Sequence, residues 1–170
     1  MFDFKAELAL LEQKQLRRSL RTIESAQDSW VIIDGHRLLN LCSNNYLGLA
    51  NDPRLKQAAA DAIEKFGIGS GASRLICGNM SLHEQLEEKL SAFKNQEACL
   101  VFNSGYTANL GIISSLVSKD AVVFSDHLNH ASIIDGIILS RANFRRYPHK
   151  DTQALEEMLK KSDKFRKRLI

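Results

Sequence analysis

The chain has 170 residues, of which 44% are hydrophobic and 25% charged, and a formal net charge of +3. These values are typical of a folded domain with enough apolar residues for a core, and they exclude a disordered chain. Much of the basic excess lies close to the C-terminus. These basic residues lie within 160–168, where Phe165 is the single aromatic side chain that could stack on a base. This segment therefore indicates a solvated loop or helix end rather than a surface for nucleic acid.

The cysteines and the N-terminus restrict the class of protein further. Cys42, Cys77 and Cys99 are an odd number at wide spacing, without the close pairs of a zinc site, so they predict reduced thiols and no metal. The N-terminus carries charges where a signal peptide needs an apolar run, and no apolar stretch approaches the roughly 20 residues of a membrane span. The sequence predicts a cytoplasmic protein that has neither a membrane nor nucleic acid as a partner.

The first 50 residues predict an N-terminal helix followed by a β-hairpin. Two short β-prone runs, 30–33 and 37–41, flank Asp34-Gly35, a dipeptide that accepts the positive φ of a tight turn. We assign residues 1–50 to this segment and residues 51–170 to the first part of a larger domain. Apolar residues recur at helical spacing and continue as a looser stripe: Phe4, Leu8, Leu11, Leu16 and Leu20.

Two helices with clear terminal signals follow. Asp52, which precedes a proline, is the N-cap of a predicted helix that Gly67 ends. Ser81 and Glu84 fit the spacing of a capping box, and the apolar stripe after them predicts a second helix that runs to about residue 93. Both helices have one apolar face, so each is expected to pack on one side.

From residue 98 onward, short apolar runs alternate with helical stretches. A further strand is expected to begin near Ile170. This βαβ rhythm predicts an α/β fold with a mainly parallel sheet. The predicted strands are 98–102, 121–124 and 143–147, and the predicted helices are 106–117, 131–139 and 152–160.

Two polar turns each follow a predicted strand and precede a predicted helix. At Ser104-Gly105-Tyr106, backbone N–H groups at a helix N-terminus form an anion site, and Gly105 lets an oxyanion come close. Asn129-His130 brings a flat imidazole that can lie over an aromatic ring. Because ligands in open α/β sheets bind at the carboxyl ends of the strands, we expect both turns to form one pocket. Spacing alone leaves open a plain corner at the first turn and a capping or solvent-facing histidine at the second.

Four motifs occur in order along almost the whole chain. They are Ser43-Asn44-Asn45-Tyr46-Leu47-Gly48-Leu49, the glycine-rich loop 67–74, Ser104-Gly105-Tyr106-Thr107-Ala108-Asn109 and the stretch 126–136. Together they resemble the α-oxoamine synthases. The resemblance implies the first part of the large domain of a transferase that depends on pyridoxal 5'-phosphate (PLP) and has the aspartate aminotransferase type of fold (fold type I). It also implies a homodimer with active sites between subunits, and a reaction in which an amino acid and an acyl-CoA condense with release of CoA and carbon dioxide.

The resemblance assigns roles to single residues around the cofactor, pyridoxal 5'-phosphate. The family holds the phosphate with backbone at the first polar turn and stacks a histidine on the pyridine ring. The residues assigned to the cofactor are Ser104, Gly105, Tyr106 and His130, of which His130 is also the catalytic residue. Those assigned to the substrate are Arg21 and Asn44. A register slip in the N-terminal helix would give the role of Arg21 to Arg17 or Arg18 instead.

Within this family, the turn 104–106 and the glycine pattern 69–71 favour a member that condenses L-alanine with pimeloyl-CoA or pimeloyl-carrier protein. A member that joins glycine to acetyl-CoA shares the stretch 129–136 and stays open, as does a non-catalytic chain that retains dimer contacts. Ala72 and Arg74 differ from the residues of some relatives, so the sequence does not decide which acyl chain the protein would accept. The lysine that binds the cofactor and the aspartate that keeps its ring nitrogen protonated lie in family motifs beyond Ile170, so we expect these 170 residues alone to be inactive.

Overall fold

A computed structural model describes residues 3–170 of the chain. They form two compact units that divide between Gly69 and Ser70, inside the glycine-rich loop. The division of the sequence at residue 50 concerns the large domain of the family fold and stays a prediction. Within residues 3–170, no helix is both long enough and apolar enough to cross a membrane.

The first unit begins with helix α1, Phe4–Gln13, which is shorter than the apolar stripe predicted. The Asp3 carboxylate caps it by accepting backbone N–H groups of the first turn. The helix ends because Gln15 has a φ of 55°, in the left-handed region that interrupts helical hydrogen bonding. Leu16 and Leu20 therefore lie outside the helix, and both are exposed. The prediction that the helical stripe continues to residue 20 is wrong.

A β-hairpin follows, as predicted. Strands β1, Trp30–Ile33, and β2, His36–Leu39, pair antiparallel around the two-residue turn of Asp34 and Gly35. Both turn residues have positive φ, 50° and 70°, which is the twist that fits a tight hairpin. Val31 is the one buried side chain among the described residues of this unit.

Helix α2, Pro53–Phe66, completes the first unit with the predicted boundaries. The Asp52 carboxylate accepts the backbone N–H of Arg54 at 2.8 Å, and Gly67 ends the helix with a φ of 76°. Each boundary is set by one residue whose side chain or backbone conformation was readable from the sequence. All α2 side chains are at least partly exposed to solvent.

In the second unit, a five-residue π-helical segment, Arg74–Gly78, precedes helix α3, Ser81–Lys94. Its start differs from the predicted capping box, because Ser81 is already helical. The reciprocal bond is made instead by His83, whose Nδ1 accepts the backbone N–H of Met80 at 3.1 Å. The end of the helix lies one residue beyond the prediction.

The predicted strand 98–102 is not a strand. Within residues 3–170 no strand pairs with this segment, and side chains bond its backbone instead. The N–H of Val101 donates to Glu87 Oε1 at 2.8 Å, and the Arg74 guanidinium donates to the Val101 carbonyl at 3.4 Å. Leu100 is 66% exposed, so the apolar run is not a buried one either. Apolar composition alone cannot show whether a sheet edge is available to a segment.

The remaining elements follow the predicted βαβ rhythm. The strands form one parallel sheet in the order β4-β3-β5, with β3 in the middle. The C-terminal residues form the short strand β5, where a strand was expected to begin. The elements are α4, Gly105–Leu116; β3, Ala121–Asp126; α5, Ala131–Ser140; β4, Asn143–Tyr147; α6, Thr152–Lys160; and β5, Lys167–Leu169.

The core of the second unit lies between β3 and the helices on either side of it in the chain. Gly136 allows α5 to approach α4 closely, because a Cβ at this position would lie 3.0 Å from the carbonyl oxygen of Asn109. Strand β3 is buried from its first residue almost to its end, so its last residue delivers the following turn from a fixed position. The core residues are Ile113, Val117, Ala121, Val123 and Ile137.

Candidate functional site

The N-terminus of α4 exposes backbone donors at the first polar turn. Ser104 caps the helix: its Oγ accepts the N–H of Thr107 at 3.1 Å and bonds to the Thr107 hydroxyl, which itself donates to Asn103. The N–H groups of Gly105 and Tyr106 lie in the first turn, where a helix supplies no acceptor. A Cβ at Gly105 would meet nothing within 4 Å. An oxyanion can therefore reach these two N–H groups.

The side chain of Tyr106 is used in another way. Its phenol donates to Asp135 Oδ2 at 3.0 Å, which ties α4 to α5. This hydrogen bond, helped by desolvation and by the carboxylate charge, raises the pKa of Tyr106 above its ordinary value. Tyr106 thus offers an anion its backbone N–H, while its side chain fixes the angle between the two helices.

His130 caps the N-terminus of α5. Its Nδ1 accepts the N–H of Ser132 at 3.2 Å and lies 2.7 Å from the Ser132 Oγ. The Ser132 Oγ also accepts a hydrogen bond from Asn109 Nδ2 at 2.7 Å. The ring of His130 is exposed, which leaves room for a flat ligand against it. The two polar turns are therefore linked indirectly, through Asn109 of α4 and Ser132 of α5.

Asp126, the last residue of β3, fixes the start of the turn that carries His130. The Asp126 carboxylate accepts the backbone N–H groups of Leu128, at 2.8 Å, and Lys150, at 3.0 Å, and pairs with His149 at 2.9 Å. These bonds, the two backbone donors first, lower the pKa of Asp126 to about 2. The carboxylate is therefore ionised at neutral pH and fixes the path of the chain between β3 and α5.

The two predicted substrate residues belong to the first unit. Arg21 lies in the irregular segment between α1 and β1, and its side chain is exposed. Asn44 is also exposed, in a turn that Asn45 closes by accepting the N–H of Ala50 at 3.0 Å. Ser43 and Asn45, but not Asn44, help to line a cavity of about 320 Å³ in this unit. The substrate roles of Arg21 and Asn44 stay predictions.

Three residues around His130 were given no role from the sequence: Asn109, Ser132 and Asp135. All lie inside the family motifs, and their spacing held a usable signal. Asn109 follows Gly105 by four residues, so it faces the same side of α4 one turn further on. Ser132 and Asp135 are three residues apart and are polar positions in a helix that is otherwise largely apolar.

The parallel sheet, the open N-terminus of α4 and the exposed imidazole of His130 define an α/β protein whose site suits a phosphorylated, flat ligand. The donors at Gly105 and Tyr106 fit a phosphate, and the exposed ring of His130 fits an aromatic system. Residues 36–170 match the family of aminotransferase class I and II, and the chain belongs to this family.

Known proteins that resemble the chain agree with this assignment. It is 60% identical over 153 residues to an 8-amino-7-oxononanoate synthase of Geobacter sulfurreducens, a match that covers 90% of this chain and 39% of that protein. It is 55% identical over 170 residues to an 8-amino-7-oxononanoate synthase of Citrifermentans bemidjiense, covering 100% and 43%. The chain therefore spans about two fifths of the length of these relatives.

A solved structure gives the same result for the fold. Serine palmitoyltransferase from S. paucimobilis, with a bound PLP–myriocin aldimine, superposes with a TM-score of 0.83 at 33% identity, covering 92% of this chain and 41% of that chain. The predicted resemblance to the α-oxoamine synthases is confirmed. So is the predicted fold class, the first part of a PLP-dependent transferase of fold type I.

Proposed function

We propose that these 170 residues form part of an enzyme that condenses L-alanine with pimeloyl-CoA or pimeloyl-carrier protein, with loss of carbon dioxide. The product would be 8-amino-7-oxononanoate, for biotin biosynthesis, and the enzyme would work as a homodimer in the cytoplasm. The observation that carries the proposal is the 60% identity to a relative of that name across 90% of this chain. The cofactor is pyridoxal 5'-phosphate.

In this proposal the N–H groups of Gly105 and Tyr106 bind the cofactor phosphate. The positive end of the α4 dipole favours the same anion, and α4 is long enough, at 12 residues, to hold the turn rigidly. Ser104 contributes by capping, which keeps the first turn in place. Gly105 contributes by leaving open the space that a side chain would fill.

His130 would orient the ring of the cofactor, which when bound draws electrons away from the α-carbon of the amino acid. The exposed imidazole lies at a helix N-terminus that is fixed by the buried strand β3. A rigid ring face restricts how far the ligand can tilt. Arg21 has a guanidinium suited to a substrate carboxylate, and Asn44 an amide suited to a polar group beside it.

The test compares two substrate pairs on the full product of the gene. Thiol release from pimeloyl-CoA with L-alanine is expected to be far faster than release from acetyl-CoA with glycine. A preference for acetyl-CoA and glycine would identify the alternative, a glycine C-acetyltransferase. Release from neither pair, by protein that binds the cofactor, would favour a non-catalytic chain.

A further inference from the structure

The geometry points to Asn109 and Ser132 as positioning residues that fix both the tautomer and the orientation of His130. Neither has a role in the phosphate or substrate contacts proposed above. The inference deepens the proposed function, on which its meaning for catalysis rests. The hydrogen-bond chain itself involves residues of this chain alone, so it can be tested without substrate.

The first step concerns the imidazole. The Nδ1 of His130 lies 3.2 Å from the backbone N–H of Ser132 and 2.7 Å from its hydroxyl oxygen. A backbone N–H can donate but cannot accept, so Nδ1 must be the accepting nitrogen. In the neutral ring the proton then lies on Nε2, the nitrogen on the far edge.

The second step concerns the direction of the Ser132 hydroxyl. Asn109 Nδ2 lies 2.7 Å from the Ser132 Oγ and can act only as a donor. A lone pair of the oxygen is thereby occupied, and its own proton is free to point at His130. Ser132 is fully buried, at 0% exposure, so water does not compete for the hydroxyl. A reversed Asn109 amide would instead take the hydroxyl proton and leave His130 to the backbone alone.

The third step connects the chain of bonds to the anion site. Asn109 lies one helical turn after Gly105, so one helix both offers the phosphate donors and sets the His130 ring. Two further contacts hold α4 against α5: the Tyr106 phenol on Asp135, and the close approach at Gly136. The ring is held at Nδ1, which leaves its Nε2–H edge for a ligand. The N–H groups that would bind the phosphate and the imidazole that would stack on the ring are therefore held by the same pair of packed helices, α4 and α5.

The tautomer can be measured directly by long-range ¹H–¹⁵N correlation spectra of ¹⁵N-histidine-labelled full gene product without cofactor. Spectra are recorded at about pH 8.5, where an ordinary imidazole is neutral, and His130 is assigned with H130Q. The wild-type ring is expected to be the Nε2–H form. In S132A and in N109A the ratio of Nδ1–H to Nε2–H should rise about threefold to tenfold, the effect of losing one hydrogen bond.

Asn129→Ala is the matched control. Asn129 precedes His130 but bonds to the Ser125 hydroxyl, so this variant should leave the tautomer ratio unchanged. An Nδ1–H tautomer in the wild type would overturn the inference, and so would unchanged ratios in both S132A and N109A. If S132A does not fold by circular dichroism, the wild-type spectrum and N109A decide.

A second readout uses the cofactor without substrate. If the inference and the proposed function both hold, N109A loaded with pyridoxal phosphate should show an altered cofactor absorbance. An altered tautomer with an unaltered absorbance would keep the hydrogen-bond chain but remove its link to the cofactor. Absence of thiol release with an Nε2–H His130 would contradict the proposed function and leave the positioning chain intact.

Discussion

The two units of the chain are stabilised in different ways. Residues 3–69 contain one buried side chain, Val31, and their structure follows from local features such as the cap at Asp52 and the turn at Gly35. Residues 70–170 contain a core cluster built around β3 and three parallel strands that are distant in sequence. The first unit therefore depends on short-range chemistry, and the second on packing between distant segments.

This difference also separates the two kinds of candidate site residue. The residues assigned to the cofactor lie in the second unit, on helices that pack on a buried strand. Arg21 and Asn44, assigned to the substrate, lie in exposed irregular segments of the first unit. Groups that must orient a ring need a rigid support, and that support is what a packed core supplies. Changes to either unit test this comparison.

The largest expected effect is a complete lack of activity in the 170-residue chain alone. The resemblance to the α-oxoamine synthases assigned no lysine of residues 1–170 to the cofactor. Every lysine of the described residues is exposed, so none lies in the desolvated surroundings that activate an amine for adduct formation. Thiol release should be absent with either substrate pair. Borohydride reduction with pyridoxal phosphate, followed by peptide mapping, should find no single stoichiometrically labelled lysine.

The full product of the gene is the control for that experiment. One stoichiometrically labelled lysine within residues 1–170, together with CoA release by the isolated chain, would show that the site is complete in these 170 residues. Scattered, substoichiometric labelling would agree with the expectation.

The next effect separates the two units by packing. Ile137 is 1% exposed in the core of the second unit, whereas Ile68 is 92% exposed in the first. Ile137→Ala is expected to lower the free energy of unfolding by about 2–5 kcal/mol, because it removes buried contacts and leaves a cavity. Ile68→Ala should change it by less than about 0.5 kcal/mol.

Urea unfolding followed by two signals makes this comparison specific. Trp30 is the single tryptophan of these 170 residues and lies in β1, so in this chain its fluorescence reports on the first unit, while circular dichroism reports on both. We expect Ile137→Ala to shift the dichroism transition more than the fluorescence transition. Equal effects of the two isoleucine substitutions would remove the distinction between the units.

The predictability of the fold follows the same division. The bounds of α2 were readable because Asp52 and Gly67 act within a few residues of themselves. The segment 98–102 was misassigned because its state depends on Glu87 and Arg74, which are distant in sequence and bond its backbone. Periodicity records which face of an element is apolar, but not whether a neighbouring strand is present.

The candidate site was predictable to a similar extent. The family motifs identified Gly105 and His130 as candidate cofactor residues, because a motif can be recognised from the sequence alone. The roles of Asn109 and Ser132 depend on the packing of α4 on α5, which no local pattern encodes. Ser104 was assigned to the cofactor, but its hydroxyl is already used by the helix cap, in bonds to the backbone N–H and the hydroxyl of Thr107.

A moderate effect is expected at His130 in the full gene product. His130→Ala should lower kcat about threefold to tenfold, because an aromatic contact contributes about 0.5–1.5 kcal/mol. KM for the amino acid should change less, since ring orientation matters most in the transition state. The absorbance of the cofactor should also shift. His127→Ala, in the same turn, is the control, and an unchanged kcat and spectrum in His130→Ala would refute the stacking role.

The smallest effect is expected on the free energy of unfolding at acid pH. It again differs between the two units. In the second unit, hydrogen bonds from Arg74 and then from the Val101 N–H lower the pKa of Glu87 from 4.5 to about 2. In the first, the bond to Arg54 lowers the pKa of Asp52, but the Arg54 side chain is 84% exposed. Glu87→Gln should therefore flatten the acid dependence of unfolding more than Asp52→Asn does.

The sign follows from the direction of the shift. A carboxyl whose pKa is lowered in the folded state stabilises the fold above its ordinary pKa, and this stabilisation is lost as the pH falls through the folded value. For Glu87 the loss should run from about pH 4.5 down to about pH 2. Part of the slope should survive in Glu87→Gln, because the pKa of Asp126 is also lowered to about 2. Urea midpoints measured between pH 2 and pH 7 test this. A steeper acid dependence in Glu87→Gln, or a larger flattening in Asp52→Asn, would mean that the Arg74–Glu87 pair does not anchor the segment that leads to Ser104.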